Sequence, residues 1–297
     1  MSTNCSLCPR ECHADRHHNV GFCGAGNDIL AAKAYLHRWE EPCLSGNEPN
    51  RGSGTIFFSG CQLKCPFCQN YEISHNCKGK ALSVRELAKI MLNLQKNGAH
   101  NINLVSPTPY IPQIVSALDE CGSELNIPVA FNSGGYEKPQ TIHLLKGYVN
   151  IYMPDFKFLS AELSKQYLKA ENYAKFALKA IGEMINQVGK PVINESGIMQ
   201  SGVIVRHLVM PGCYRDSIAI LKLLKEQFGT DNFLISLMSQ YTPCYHACDY
   251  PKINRRITTF EYDKVSDYAA ELGFNGYFQQ RDSADDKFIP DWDFSGL

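Results

Sequence analysis

The chain has 297 residues, 44% of them apolar and 20% charged, with a formal net charge of -1. That balance describes a globular protein with a sizeable core, and the near-neutral charge argues against broad binding to nucleic acid or anionic membrane. The anomaly is cysteine: 13 residues, too few for a disulfide scaffold of roughly 8–10% and odd in number, so they cannot all pair internally.

No apolar run reaches the roughly 18 residues that cross a membrane, and the N-terminal residues lack the apolar middle of a signal peptide. The expectation is a cytoplasmic protein without a membrane partner. Thiols stay reduced there, so dense cysteine points to metal or redox chemistry.

Residues 1–50 are polar and cysteine-bearing and read as a small metal-binding module, with a short helical stretch at 29–39. Cys5, Cys8, Cys12 and Cys23 are spaced C-x2-C-x3-C-x10-C. Four thiolates so spaced can close a tetrahedral zinc site, hold a single iron or ligate a 4Fe-4S cluster. Gly21, Gly24 and Gly26 would let the chain turn tightly around Cys23. His13, His17 and His18 are alternative ligands, but read more simply as a polar turn. The stretch 42–54, rich in Pro, Gly, Ser and Asn, marks a boundary or an ordered loop.

Over 51–297 short apolar or β-branched runs alternate with amphipathic stretches. Strands are expected at 55–60, 102–105, 127–131, 149–153, 203–210 and 233–238. Between them, Ser83 can cap a helix with Glu86 completing a capping box and Gly98 ending it. Further helices are expected at 111–120, 138–145, 161–169, 173–188, 217–228 and 263–272. The alternation predicts an α/β fold with a parallel sheet; periodicity leaves an open sheet and a partial barrel both possible. In either, ligands belong at the C-terminal ends of the strands.

Directly after the first of these strands stands Gly60-Cys61-Gln62-Leu63-Lys64-Cys65-Pro66-Phe67-Cys68-Gln69-Asn70, a C-x3-C-x2-C group. Three thiolates on one short loop can wrap one face of a 4Fe-4S cube and leave one iron open. Zinc usually closes with four ligands, so the spacing suits it less well.

GCQLKCPFC resembles the signature of the radical S-adenosylmethionine (radical SAM) superfamily, including the aromatic Phe67 just before the third cysteine. Over about residues 50–245 the chain also resembles the activating enzymes of pyruvate formate-lyase, and in particular an uncharacterised branch of their homologues with an extra N-terminal cysteine module. The resemblance implies a partial (β/α)6 TIM-type barrel over 51–297. It implies that Cys61, Cys65 and Cys68 hold a 4Fe-4S cluster whose open iron is chelated by the amine and carboxylate of S-adenosylmethionine. Reductive cleavage would then give a 5′-deoxyadenosyl radical that takes hydrogen from a substrate. That substrate is a glycyl radical enzyme if the chain is an activator, and otherwise a peptide or small metabolite. An electron donor such as flavodoxin or ferredoxin is the implied partner.

Cofactor-binding positions carry over by resemblance. Gln69-Asn70 stands where the activators have His-Asn. Asn132-Ser133 matches their Asp-Thr pair, and Met153-Pro154-Asp155-Phe156-Lys157 resembles Met-Leu-Asp-Leu-Lys. In the activators that Asp-Thr pair, the Met and the Asp help hold a monovalent cation, and Asn132 departs from the pattern. Arg206 matches an arginine near the cofactor. The largest departure is Ser106-Pro107-Thr108-Pro109, where activators have Gly-Gly-Glu-Pro to receive the methionyl amine. Ser106 and Thr108 offer a hydroxyl or carbonyl acceptor without a carboxylate's charge.

Six cysteines remain: Cys43, Cys77, Cys121, Cys213, Cys244 and Cys248. Packing is their default reading, although Cys244 and Cys248, beside Tyr241, Tyr245 and His246, follow the last strand and could face a substrate. Tyr110, Tyr136, Tyr152 and Tyr214 fall at or near strand ends and read mostly as packing. The acidic run 282–286 reads as a solvated segment. The rival of another class is a non-enzymatic zinc-binding interaction protein. A metal-dependent hydrolase would need an H-E-x-x-H or similar set, which the sequence lacks.

Overall fold

A computed structural model describes residues 4–279 and 290–297; the acidic run at 282–286 lies outside the described residues. The strands are β1 (Ile29–His37), β2 (Gly52–Phe58), β3 (Lys80–Leu82), β4 (Ala99–Val105), β5 (Val129–Ser133), β6 (Ile151–Pro154), β7 (Val192–Ile193), β8 (Met199–Leu208), β9 (Leu234–Met238) and β10 (Gly276–Phe278). The helices are α1 (Pro42–Ser45), α2 (Tyr71–Ser74), α3 (Val84–Lys96), α4 (Ile111–Cys121), α5 (Pro139–His143), α6 (Ala161–Leu168), α7 (Tyr173–Val188), α8 (Tyr214–Phe228) and α9 (Thr259–Glu271).

The strand order is β10-β9-β8-β6-β5-β4-β2-β1-β3. From β2 to β10 every neighbouring pair on this path is parallel. This is an α/β fold with a parallel-rich sheet, the arrangement of a partial TIM-type barrel. Among the described residues the sheet is not closed, and β10 and β3 are its ends. No helix among them is long and apolar enough to cross a membrane.

The six expected strands are present, shifted by a few residues. The expected helix at 29–39 is instead strand β1. Ala31, Ala32 and Ala34 lend that stretch helical propensity, but β1 pairs antiparallel with β2 on one side and β3 on the other. β3 covers only Ile29–Ala31 on its side, and Phe294 and Ser295 bond Ala32 and Ala34 beyond it; this tertiary pairing overrides a preference of a few tenths of a kcal/mol per residue. Within 42–54, a short helix and the start of β2 replace the expected boundary loop.

Helix α3 begins as expected: Ser83 Oγ accepts from Glu86 N–H at 3.2 Å, and Glu86 takes the Ser83 N–H at 2.8 Å. Its Leu87, Ala88, Ile90, Met91 and Leu94 are buried, each large side chain contributing about 1.5–3 kcal/mol by leaving water. Helix α9 starts four residues before its expected position because Thr258 and Glu261 form a second capping box.

The two faces of the parallel strands meet different surroundings, because side chains alternate along a strand. Phe58, Leu104, Phe131, Tyr152, Val205 and Leu237 face the helices in the main core. Ala130, Ile151, Met153 and Ile204 face the other way, into a smaller cluster with Cys43 and Leu44 of α1. Nearer the C-terminal strand ends, polar residues take over that inner face.

Candidate functional site

A cavity of about 280 Å³ opens at these C-terminal ends. Its sheet wall is Phe57, Val105, Asn132, Asp155, Arg206, Leu208 and Met238, placed by strand alternation. Its other wall is the cysteine loop. Gly60, at φ 87°, turns the chain out of β2; a Cβ there would lie 2.9 Å from the Cys23 carbonyl oxygen, so the turn demands glycine. Cys61, Cys65 and Cys68 then all line the cavity. Phe67 anchors the loop from behind, packing edge-on against Phe158, Tyr167 and Tyr241 with ring centroids 5.9–6.4 Å apart.

Burial pushes all three thiols up, Cys61 to about 12. Opposing that, Leu63 N–H points at Cys61 Sγ (3.4 Å), and Ser74 Oγ lies 3.1 Å from Cys68 Sγ. Lys157 Nζ sits 2.5 Å from Asp155 Oδ2. Burial alone would push that ammonium down, but Asp155 and the nearby Cys65 and Cys68 thiols hold it above its ordinary value. A fixed cation beside one buried and two half-buried cysteines suits thiolate ligation. Among the described residues no three His, Cys, Asp or Glu side chains gather about one ion, and ligands that each take a different iron of one cluster need not do so. The three-thiol wall, its lysine and the adjoining space therefore fit a 4Fe-4S cluster with S-adenosylmethionine.

Of the other expected residues, Gln69, Asn70, Ser106, Asn132, Ser133, Asp155, Lys157 and Arg206 line the cavity. Ser106 holds a left-handed φ of 57° while its N–H bonds Asn132 O at 2.9 Å. Thr108 does not line the cavity. It is buried in a 3-10 turn, and its hydroxyl donates to Glu137 at 2.9 Å.

Three carboxylates here were not expected from sequence. Glu137 is fully buried and also accepts from Gln62 Nε2 (2.8 Å) and Ser133 Oγ (3.0 Å). Burial pushes it up to about 7 despite these donors. Glu40 lines the cavity; burial pushes it up to about 7, with Arg206 acting the other way. Arg206 lies 3.1 Å from Glu41 and 3.7 Å from Glu40. An acid just past a strand end, as Glu137 is, was the available signal. Glu40 and Glu41 gave none, since their cation lies far along the chain.

Cys5, Cys8, Cys12 and Cys23 all line a separate void of about 20 Å³, with Arg16, Gln62, Thr108 and Pro109. His13, His17 and His18 are exposed and do not line it. Burial raises Cys8 to about 12 and Cys23 upward. A Cβ on Gly21 would lie 3.4 Å from both Cys12 Sγ and Cys23 Sγ. The two cysteine regions touch: Cys61 N–H donates to Cys23 O at 3.1 Å, and Arg10 donates to Gln62 O and Leu168 O at 2.9 Å. A further cavity of about 370 Å³, lined by Cys5, Ser6, Leu7, Arg16 and Pro112, lies beside this module and includes none of the loop cysteines or of the strand residues named above.

Tyr241 lines the cavity, whereas Cys244 donates to Phe67 O and Cys248 is exposed. Tyr110, Tyr136 and Tyr152 are buried packing, and Tyr214 lies edge-on to Phe260.

Residues 55–212 match the family model described as the Radical SAM superfamily. An uncharacterized protein of Methanocaldococcus jannaschii is 34% identical, over 92% of this chain and 76% of its own length. Among solved structures, SuiB of Streptococcus suis bound to its precursor peptide SuiA is similar in fold, with TM-score 0.52, 16% identity and 74% of this chain covered. SuiB bound to S-adenosylmethionine gives 0.51, 17% and 74%. This chain spans 46% and 47% of those SuiB chains.

Proposed function

The chain belongs to the radical SAM superfamily, and from that footing we propose that it abstracts hydrogen from a polypeptide segment of a partner protein. The family's chemistry is reductive cleavage of S-adenosylmethionine: with that cofactor and a 4Fe-4S cluster bound, such a site supplies a 5′-deoxyadenosyl radical. The observation that carries the reading here is the single cavity shared by Cys61, Cys65, Cys68, Asp155, Lys157 and Arg206 at the C-terminal strand ends.

In this reading Cys61, Cys65 and Cys68 bind the cluster, and Phe67 keeps their loop rigid. Ser106, Asn132 and Ser133 offer hydroxyl, amide and carbonyl groups to the amino-acid end of the cofactor, with Gln69 and Asn70 beside the loop. Lys157 balances thiolate charge, and Arg206, tethered by Glu41, holds the far wall. The strand ends and the loop bound the cavity on two sides, which limits the access of water to a reactive radical. A low-potential one-electron carrier, a flavodoxin or ferredoxin, supplies the electron.

A polypeptide substrate is supported by the motif resemblance to activators of glycyl radical enzymes, and by SuiB, whose structure holds its precursor peptide. The activator version makes a backbone glycine the hydrogen donor. In the same proposal, the 1–50 region, whose β1 and α1 are built into the sheet and its inner face, carries a second metal site on Cys5, Cys8, Cys12 and Cys23. Among the described residues these four thiols do not gather about one ion; support comes from the void they share and from Arg16, buried and with Nη2 lacking a protein partner, since anionic thiolate ligands would give that guanidinium an acceptor.

The test is anaerobic incubation of the reduced protein and S-adenosylmethionine with deuterated candidate partners. Deuterium from a partner's glycine entering 5′-deoxyadenosine supports the activator version. Label from another residue of a polypeptide supports direct peptide modification. Label from a small metabolite alone overturns the polypeptide reading.

A further inference from the structure

We propose that Ser74 and His75 form a hydrogen-bond relay that orients the Cys68 thiolate and raises the reduction potential of a cluster bound there. The inference rests on Cys68 being a cluster ligand, as read above. Ser74 is buried and lines the cavity, with its Oγ 3.1 Å from Cys68 Sγ and 2.9 Å from His75 Nδ1.

Ligation fixes the direction of this chain. A bound thiolate carries no proton and can only accept, so the Ser74 hydroxyl donates to Cys68 Sγ. The Ser74 oxygen then has only lone pairs left for His75, which makes Nδ1 the donor. In the neutral ring Nε2 is left as a lone pair, and it is buried without a protein partner. An unsatisfied acceptor is easier to bury than an unsatisfied N–H.

The surroundings hold the relay in place. The ring of Tyr245 lies 5.1 Å from that of His75 and stacks on Tyr71 at 4.7 Å and 10°. Tyr245 accepts a left-handed φ of 54° to reach that position, a conformation that costs a non-glycine residue about 1–3 kcal/mol. Its neighbours are clamped to the cysteine loop: Cys244 Sγ donates to Phe67 O at 3.3 Å, and His246 N–H to Pro66 O at 2.8 Å. The aromatic wall thus covers the outer side of His75 and lowers the dielectric around the relay, where a hydrogen bond is stronger.

A donor to a ligating sulfur stabilises the reduced cluster, which carries one more negative charge, and so raises the potential. Ser74 and His75 are positioning residues, acting through Cys68. The test is a mediated redox titration of the anaerobic protein with dithionite, followed by electron paramagnetic resonance of the reduced cluster. Ser74→Ala should shift the reduction equilibrium about tenfold toward the oxidised state, about 59 mV for one electron. Ser74→Thr, which keeps the hydroxyl, should restore the wild-type midpoint, and His75→Ala should shift it in the same direction by less. A Ser74→Ala protein with full iron and sulfide and an unchanged midpoint overturns the inference. If Ser74→Ala holds no cluster, an unchanged midpoint in His75→Ala overturns it instead. A wild-type protein that binds no cluster contradicts the functional reading rather than the relay.

Discussion

The two cysteine sets meet opposite surroundings. Cys61, Cys65 and Cys68 form one wall of a cavity of about 280 Å³ whose other wall carries Asp155, Lys157 and Arg206. The four N-terminal cysteines surround about 20 Å³, closed by Thr108, Pro109 and Arg16. The first set therefore borders open space at the strand ends, whereas the second borders a void too small for a small molecule. Yet the sets are joined, because the Cys23 carbonyl accepts the Cys61 N–H.

The largest contrast should come from removing one cysteine of each set. Cys65→Ala is expected to abolish 5′-deoxyadenosine formation, while Cys8→Ala retains the loop cluster, as read by iron content and paramagnetic resonance. Loss of the loop cluster in both would show that the sets are one structural unit. Next in size is the wall opposite the loop. Arg206→Met leaves Glu40 and Glu41 buried beside each other without their cation and should cost about 3–5 kcal/mol in urea unfolding.

A smaller effect is expected at the join. Arg10→Ala removes donors to Gln62 O and Leu168 O, which should cost about 1–3 kcal/mol and speed proteolysis of the N-terminal segment. Unchanged proteolysis would mean that other contacts hold it.

A pH-dependent contrast concerns Glu137, whose partners Gln62 and Thr108 border the N-terminal void. Its carboxyl moves from 4.5 up to about 7 on folding, chiefly by burial. Between those values the folded chain binds more protons than the unfolded one, so this group's contribution to stability falls as pH rises from about 4.5 to about 7. Glu137→Gln should remove that fall, so the variant's Tm gains on wild type between pH 5 and 8. Parallel Tm curves would contradict the assignment.

What was legible in the sequence was local. The parallel strands showed as short apolar runs, and Cys61, Cys65 and Cys68 as a spacing within one loop. Strand β1 was not legible, because Ala31, Ala32 and Ala34 favour helix locally while their pairing partners lie in β2 and β3. Glu40 and Glu41 look like solvated acids until Arg206 arrives from β8. Thr108 sits in the expected segment, but the 3-10 turn points its hydroxyl at Glu137 rather than into the cavity. Ser74 lies in a four-residue helix whose approach to Cys68 depends on how that helix folds back onto the loop.

Reductive cleavage of S-adenosylmethionine in the strand-end cavity, with Cys61, Cys65 and Cys68 as cluster ligands, is the step on which the proposed function stands or falls. Its most direct test is liquid chromatography with mass detection of 5′-deoxyadenosine and methionine, after anaerobic reduction of the iron- and sulfide-replete protein with S-adenosylmethionine. Wild type should give both products in equal amounts and Cys65→Ala neither. A fully loaded wild-type protein that forms no 5′-deoxyadenosine would contradict the proposed function.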